Sequence, residues 1–290
     1  MLYTLKNDNL TVTLSDHGAE IKSVQCACGC EYIWQGNPEY WTGQTPIMFP
    51  ICGRLTEGKY TYDGKTYEMI LHGFARQSDF VGEQLSNTSV RFTLVSNEET
   101  RKIYPFDFAF VVEYCLDEKT LSTSLTVRNT GKEILPATVG LHPGFNVPLD
   151  NGSFEDWYLE FGNVCYPDQF LLSETCFVTG GKEAFPLEDG KRLRLMHNLF
   201  DGDAIFLANT DRSVTLRSDK SRRSVTFRYP DFTYVGFWHS RRTDAPFVCI
   251  EPWCGLPAYD GVIDDFAKKN DMFRLLPGSE KTVHATIQFN

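Results

Sequence analysis

Phe106-Asp107-Phe108-Ala109-Phe110-Val111-Val112-Glu113-Tyr114-Cys115-Leu116 is the stretch that decides the fold class. Large apolar side chains recur at every second position, from Phe106 to Leu116. A period of two is the mark of a β-strand with one buried face. Asp117-Glu118-Lys119 then turns the chain, and Leu121, Thr123, Leu125 and Val127 resume the alternation with Ser122, Ser124, Thr126 and Arg128 opposite. Two alternating runs joined by a short polar turn form a hairpin.

The same pattern extends in both directions. Thr11 to Leu14 alternates until Ser15-Asp16-His17-Gly18 breaks it, and Val90, Phe92 and Leu94 share one face of another strand. Val214-Leu216, Val225-Phe227-Tyr229 and Val283-Ala285-Ile287-Phe289 repeat it later. Helical periodicity is scarce: Asn37 to Trp41 suits a single turn, and Val262 to Lys269 suits a short helix. Strand–helix alternation is not sustained, which argues against a parallel α/β sheet and for an antiparallel sandwich or barrel. No linker, low-complexity tract or internal repeat interrupts residues 1–290, so the expectation is one all-β domain.

Composition narrows the function. The chain has 290 residues, 42% hydrophobic and 14% aromatic, enough for a large core. Its net charge of −10, from 28 basic and 38 acidic residues, disfavours nucleic acid and anionic membranes as partners. A small anionic ligand remains compatible, because a few local arginines hold a phosphate against an acidic background. No apolar run approaches the roughly 20 residues of a membrane span. Met1 to Lys6 lacks the pattern of a signal peptide, so a cytoplasmic protein with nine free cysteines is expected. Cys26-Ala27-Cys28-Gly29-Cys30 lacks the second half that zinc sites carry, and reads as a reduced turn between strands rather than a metal site.

Three segments carry titratable groups in settings suited to proton transfer: Leu71-His72-Gly73-Phe74-Ala75-Arg76, Gly140-Leu141-His142-Pro143-Gly144-Phe145-Asn146, and Cys249-Ile250-Glu251-Pro252-Trp253-Cys254. A carboxylate and an imidazole exchange protons with a substrate near neutral pH. Glu251 ends the apolar run Phe247 to Ile250, where desolvation raises a carboxyl toward a useful base. Glycine beside His72 lets the backbone approach a neighbour closely. Arg54 and Arg76 suit sugar oxygens or a phosphate, Trp253 and Phe145 suit stacking on a sugar ring, and Asp203 suits hydroxyl groups. Each has a structural alternative: a strand-end cap for Glu251, a loop carbonyl partner for the histidines, a solvated ion pair for the arginines, core packing for the aromatics and a turn for Asp203. No metal or cofactor motif accompanies these residues, so proton shuttling on a small molecule is the first functional expectation.

The order of these segments resembles the aldose 1-epimerase (galactose mutarotase-like) superfamily. The likeness starts at Thr11-Val12-Thr13-Leu14 with Gly18-Ala19-Glu20-Ile21. It runs through Gly53-Arg54-Leu55, His72-Gly73, Tyr104-Pro105-Phe106, Val127-Arg128-Asn129-Thr130-Gly131 and the His142 loop to Ile250-Glu251-Pro252. The His-Pro-Gly-Phe and Glu-Pro-Trp wording is similar to a branch of LacX-type and hexose-6-phosphate epimerase proteins. The resemblance implies a β-supersandwich with few short helices and a hexose or hexose phosphate as small-molecule partner. It implies no cofactor, Glu251 as general base and His142 as general acid. His72, Arg54 and Asp203 match positions that bind sugar oxygens, and Arg54 with Arg76 suits a 6-phosphate. Two departures stand out: Gly53 occupies a position usually asparagine in the galactose enzymes, and His142-Pro143-Gly144-Phe145 replaces their usual His-x-Tyr-Phe-Asn. A carbohydrate-binding protein without turnover is the alternative, since fold alone does not separate the two.

Overall fold

A computed structural model describes all residues 1–290. The alternating hairpin is present as Phe108–Asp117 paired with Thr120–Asn129. Leu116 lies opposite Leu121, Val112 opposite Leu125 and Phe110 opposite Val127, so the apolar sets coincide on one face. The turn is made by Glu118, with a φ of 46°. Phe106 is buried just ahead of the strand rather than in it.

This hairpin is the heart of a nine-stranded sheet that also takes in Glu280–Phe289, Ser224–Arg228, Ser213–Ser218 and Trp157–Phe161. A second, eight-stranded sheet is centred on Tyr234–Trp238 and Phe247–Trp253. Three small sheets complete the chain. Every ladder is antiparallel except the pairing of Asp264–Asp265 with Tyr60 and Thr61. The fold is therefore an all-β supersandwich of antiparallel sheets.

The two large sheets pack face to face through aromatic side chains. Phe49 stacks on Phe110 with ring centroids 4.5 Å apart, and Phe161–Phe237 and Phe145–Phe227 bridge the layers edge to face. One cluster of 66 buried residues, from Leu5 to Phe289, fills the space between.

Alternation along the central strand then determines where the site lies. Val248 and Ile250 point into that core. Phe247, Cys249 and Trp253 pack in separate clusters on the opposite face, and Glu251 shares their parity. All seven residues of this strand are buried, because loops cover the second face as well. Glu251 is thus held inside the protein but outside its hydrophobic core.

Two local expectations need correction, and one helix was not anticipated. Val262–Lys269 is not a helix. Phe266 stacks on Tyr60 at 3.6 Å, Asp264–Asp265 pairs in a small sheet, and Lys269 turns back to bond Asp264 at 2.9 Å. These tertiary contacts outweigh a weak helical pattern. A six-residue helix lies instead at Glu98–Ile103, where Asn97 accepts from the Thr100 amide at 2.9 Å and Thr100 accepts from the Asn97 amide at 2.8 Å. Finally, Cys26 and Cys28 are joined as a disulfide, and seven cysteines are free. The turn at Gly29 brings two sulfurs within bonding reach where a reduced turn was expected. No helix is long and apolar enough to cross a membrane.

Candidate active site

Glu251 and His142 meet at the base of a cavity of about 300 Å³, with His142 Nε2 3.3 Å from Glu251 Oε1. Glu251 is placed by its strand, where Gly236 sits directly opposite and its missing side chain lets the Phe206 ring pack within 2.8 Å of where a Cβ would stand. His142 follows the short strand Gly140–Leu141, which pairs with Trp253 on one side and with Ile47–Met48 on the other. Its amide donates to the Pro46 carbonyl at 3.1 Å, and the next residue's carbonyl accepts from Ile250 at 3.2 Å. The histidine is therefore fixed at both ends of its loop. Its ring lies 5.1 Å from Trp41, 5.7 Å from Trp238 and 5.4 Å from His72.

Burial sets the protonation of the pair. Glu251 is 1% exposed, and desolvation, aided by the nearby Asp203 carboxylate, pushes its carboxyl well above the ordinary range. Desolvation pulls His142 down to about 3. Both shifts favour uncharged groups, so burial favours a state in which the pair holds one proton, on Glu251. Glu251 Oε1 and His142 Nδ1 have no hydrogen-bond partner in the protein. Buried polar atoms without partners are rare, and both belong to residues that line the cavity.

His72 reaches the cavity through strained backbone. Its own φ is +63°, and Gly73 follows at +72°. A Cβ on Gly73 would stand 2.1 Å from the Phe49 carbonyl oxygen, so only glycine fits. The His72 ring nitrogen Nδ1 accepts from the Gly53 amide at 3.1 Å. That bond assigns the proton to Nε2 and makes the ring a donor. Desolvation and the neighbouring His142 keep His72 neutral.

Arg54 and Arg76 stand on the rim. Arg91, Arg101, Arg128, Arg192, Arg194 and Arg217 all pair with carboxylates. Arg54 and Arg76 instead donate to backbone carbonyls, Arg54 to Thr175 at 3.1 Å and Arg76 to Leu71 at 3.3 Å. Most of each guanidinium's donors stay open. Asp203 also lines the cavity, at a φ of +103°, with one carboxylate oxygen accepting from the Ala204 amide at 2.9 Å and the other from the Cys176 thiol.

The structure thus brings Glu251, His142, His72, Arg54, Arg76, Asp203 and Trp253 together in one cavity. It does not bring Phe145 there. That ring is fully buried between the sheets against Phe227, because strand parity turns it into the core. Sequence reasoning missed Trp41, Trp238, Phe206 and Cys176, which also line the cavity. Trp41 lies in the recognised turn, but nothing local marks it as facing a ligand. His142, Cys249 and Glu251 present possible ligand atoms within 4.8 Å of one another. Burial drives the Cys249 thiol well up, which opposes the thiolate a metal requires.

Comparisons with known proteins give the family and the fold. The family model of aldose 1-epimerase matches residues 1–287. The chain belongs to the aldose 1-epimerase family. Protein LacX (chromosomal) of Lactococcus lactis subsp. lactis is 38% identical over 267 residues, 88% of either chain. A galactose mutarotase related enzyme from Lactobacillus acidophilus superposes with a TM-score of 0.95 at 37% identity, over 100% of this chain and 97% of that one. A galactose mutarotase-like protein from Lactobacillus casei gives 0.95 at 34% identity over the whole of both chains. Within the family, Gly53 gains a reason. At φ +74°, a Cβ there would lie 2.5 Å from the Pro257 ring, so an asparagine does not fit.

Proposed function

We propose that this protein is an aldose 1-epimerase (mutarotase) that interconverts the α and β anomers of a hexose. The observation that carries the reading is the buried His142–Glu251 pair, 3.3 Å apart at the base of a sugar-sized cavity. Mutarotation needs a base at the anomeric hydroxyl and an acid at the ring oxygen, in one molecule and with no net proton change. A pair that shares one proton meets that requirement.

Glu251, as carboxylate, takes the proton from the anomeric hydroxyl. His142, as imidazolium, protonates the ring oxygen. The C1–O5 bond breaks to an open-chain aldehyde, the C1–C2 bond rotates, and the ring recloses on the other face with the roles reversed. Burial alone favours the proton on Glu251. Hexose hydroxyls, together with the guanidiniums on the rim, solvate the charged arrangement and allow the proton to pass across 3.3 Å to His142. His72 Nε2–H donates to a sugar oxygen, Asp203 accepts from a hydroxyl, and Trp253 packs against the ring. The residues 1–290 act as one unit in this reading.

One observation favours a second substrate class. Arg54 and Arg76 have no carboxylate partner in a chain of net charge −10, and open guanidiniums suit a hexose 6-phosphate. Polarimetry on glucose, galactose and their 6-phosphates separates the two. An Arg54→Ala/Arg76→Ala variant lowers the rate on the phosphosugar far more than on the free sugar if that group is read by the arginines. A sugar that binds but is not accelerated in any of the four cases sinks the enzyme reading and leaves a binding protein.

A further inference from the structure

Cys26-Ala27-Cys28-Gly29-Cys30 takes no part in the sugar site, yet it gathers three sulfurs within five residues. Cys26 and Cys28 are joined, and Cys30 is free. The bridge encloses a single residue, Ala27, so it restrains the unfolded chain very little. It also lies at the surface: Cys28 is exposed, and Cys26 and Cys30 are half-buried. An exposed disulfide that holds no distant elements together belongs to the exchangeable class rather than the structural one.

The turn supplies Cys26 with a second partner. Gln25 and Glu31 pair across it, and the Cys26 amide donates to the Cys30 carbonyl at 3.2 Å. Cys26 and Cys30 therefore stand opposite each other with their side chains on one face, and both pack against the main core. Directly opposed residues have Cα atoms about 4.5–5.5 Å apart, inside the range that a disulfide spans.

Arg223 sets the direction of exchange. Its Nη2 lies 2.9 Å from Cys28 Sγ, while Nη1 donates to the Tyr32 hydroxyl at 2.9 Å and Nε faces Asp150 at 3.7 Å. A guanidinium at that distance stabilises a thiolate, which makes Cys28 the better leaving group. Burial pushes the Cys30 thiol up, which favours placing that sulfur in a bridge. Cys26, Cys28 and Arg223 line one pocket of about 250 Å³.

The geometry points to a thiol-exchange site at which Cys30 displaces Cys28 from Cys26, and Cys28 then takes up a low-molecular-weight thiol as a mixed disulfide. In the first step the Cys30 thiol gives its proton to water, the Cys26–Cys28 bond breaks, the Cys26–Cys30 bond forms, and the electron pair stays on Cys28 beside Arg223. That step is redox-neutral. In the second, the Cys28 thiolate attacks a small disulfide and releases one small thiolate, so Cys28 is oxidised and the small disulfide is reduced.

The test treats protein purified without reductant with oxidised glutathione, quenches with acid, alkylates the remaining thiols and maps the peptides. Cys115, free and exposed on the nine-stranded sheet, is the reference on the same molecule. Cys28 is expected to gain glutathione about tenfold faster than Cys115, with a Cys26–Cys30 bridge in the product. It should gain none in Cys30→Ser, whose hydroxyl keeps the donor to the Leu149 carbonyl. Arg223→Gln should slow Cys28 and leave Cys115 unchanged. Modification of Cys28 no faster than of Cys115, an undiminished rate in Cys30→Ser, or three free thiols in the starting turn overturns the site.

Discussion

Glu251 and His142 were legible as titratable residues beside strands, but their 3.3 Å separation was not, since they stand 109 positions apart in the chain. What made Glu251 readable was its place at the end of an apolar run, the one context in which burial of a carboxylate is forced. Phe145 shows the limit of such reasoning. It sits in the same motif as His142, yet a change of strand parity sends it into the core. On the proposed reaction, Glu251→Gln keeps the shape of the site and removes the base, so kcat falls by about 10²–10⁴-fold with KM little changed. His142→Asn should do the same on steady-state rates. The pH profile follows from the two shifts. The pair takes a second proton only near the depressed His142 value of about 3, so the acid limb of kcat/KM lies well below the ordinary imidazole value of 6.5. The alkaline limb reports loss of the remaining proton, held on a carboxyl raised above its ordinary 4.5. An inflection at 6.5 that disappears in His142→Asn would show instead that His142 titrates as an ordinary imidazole.

Elements were readable where periodicity was long and obscure where contacts from elsewhere chose the conformation. The hairpin Phe108–Asp117 with Thr120–Asn129 needed only its own side chains. Val262–Lys269 had a helical pattern that stacking on Tyr60 and the Lys269–Asp264 bond overrode. The helix Glu98–Ile103 is too short for periodicity, and its one signal is the reciprocal cap of Asn97 and Thr100. Asn97→Ala removes that cap and should cost about 1 kcal/mol by denaturant unfolding, with epimerisation unaffected. The loop that carries His72 should be far less tolerant. Gly73→Ala places a methyl 2.1 Å from the Phe49 carbonyl and a side chain at φ +72°. A loss above about 3 kcal/mol is expected, because neither backbone can yield without moving His72. A Gly73→Ala protein of wild-type stability and activity would mean the loop relaxes freely.

At the scale of the whole molecule, the sheet count and the cover of the second face were beyond the sequence. Strand order joins Thr120–Asn129 to Glu280–Phe289, and no local pattern reports such distant pairing. The architecture nonetheless dictates how stability responds to pH. His72 and His142 are buried neutral with depressed values, so below 6.5 the unfolded chain binds protons that the folded chain refuses. Glu251 acts oppositely: above 4.5 the folded chain keeps a proton that the unfolded chain releases. His239 is buried and held down to about 4 as well, so between 4.5 and 6.5 three histidines outweigh one carboxyl, and stability from these groups rises with pH. Chemical denaturation should therefore show stability climbing from pH 4.5 to 6.5, with a shallower climb in His142→Asn. Turnover of a sugar by this buried pair is read from NMR exchange between the α and β anomers of glucose and galactose, measured for the wild type and Glu251→Gln beside calorimetric sugar binding. Fast exchange is expected in the wild type, with its loss in the variant and affinities equal within a few fold. Exchange that persists undiminished in Glu251→Gln would contradict turnover by the pair.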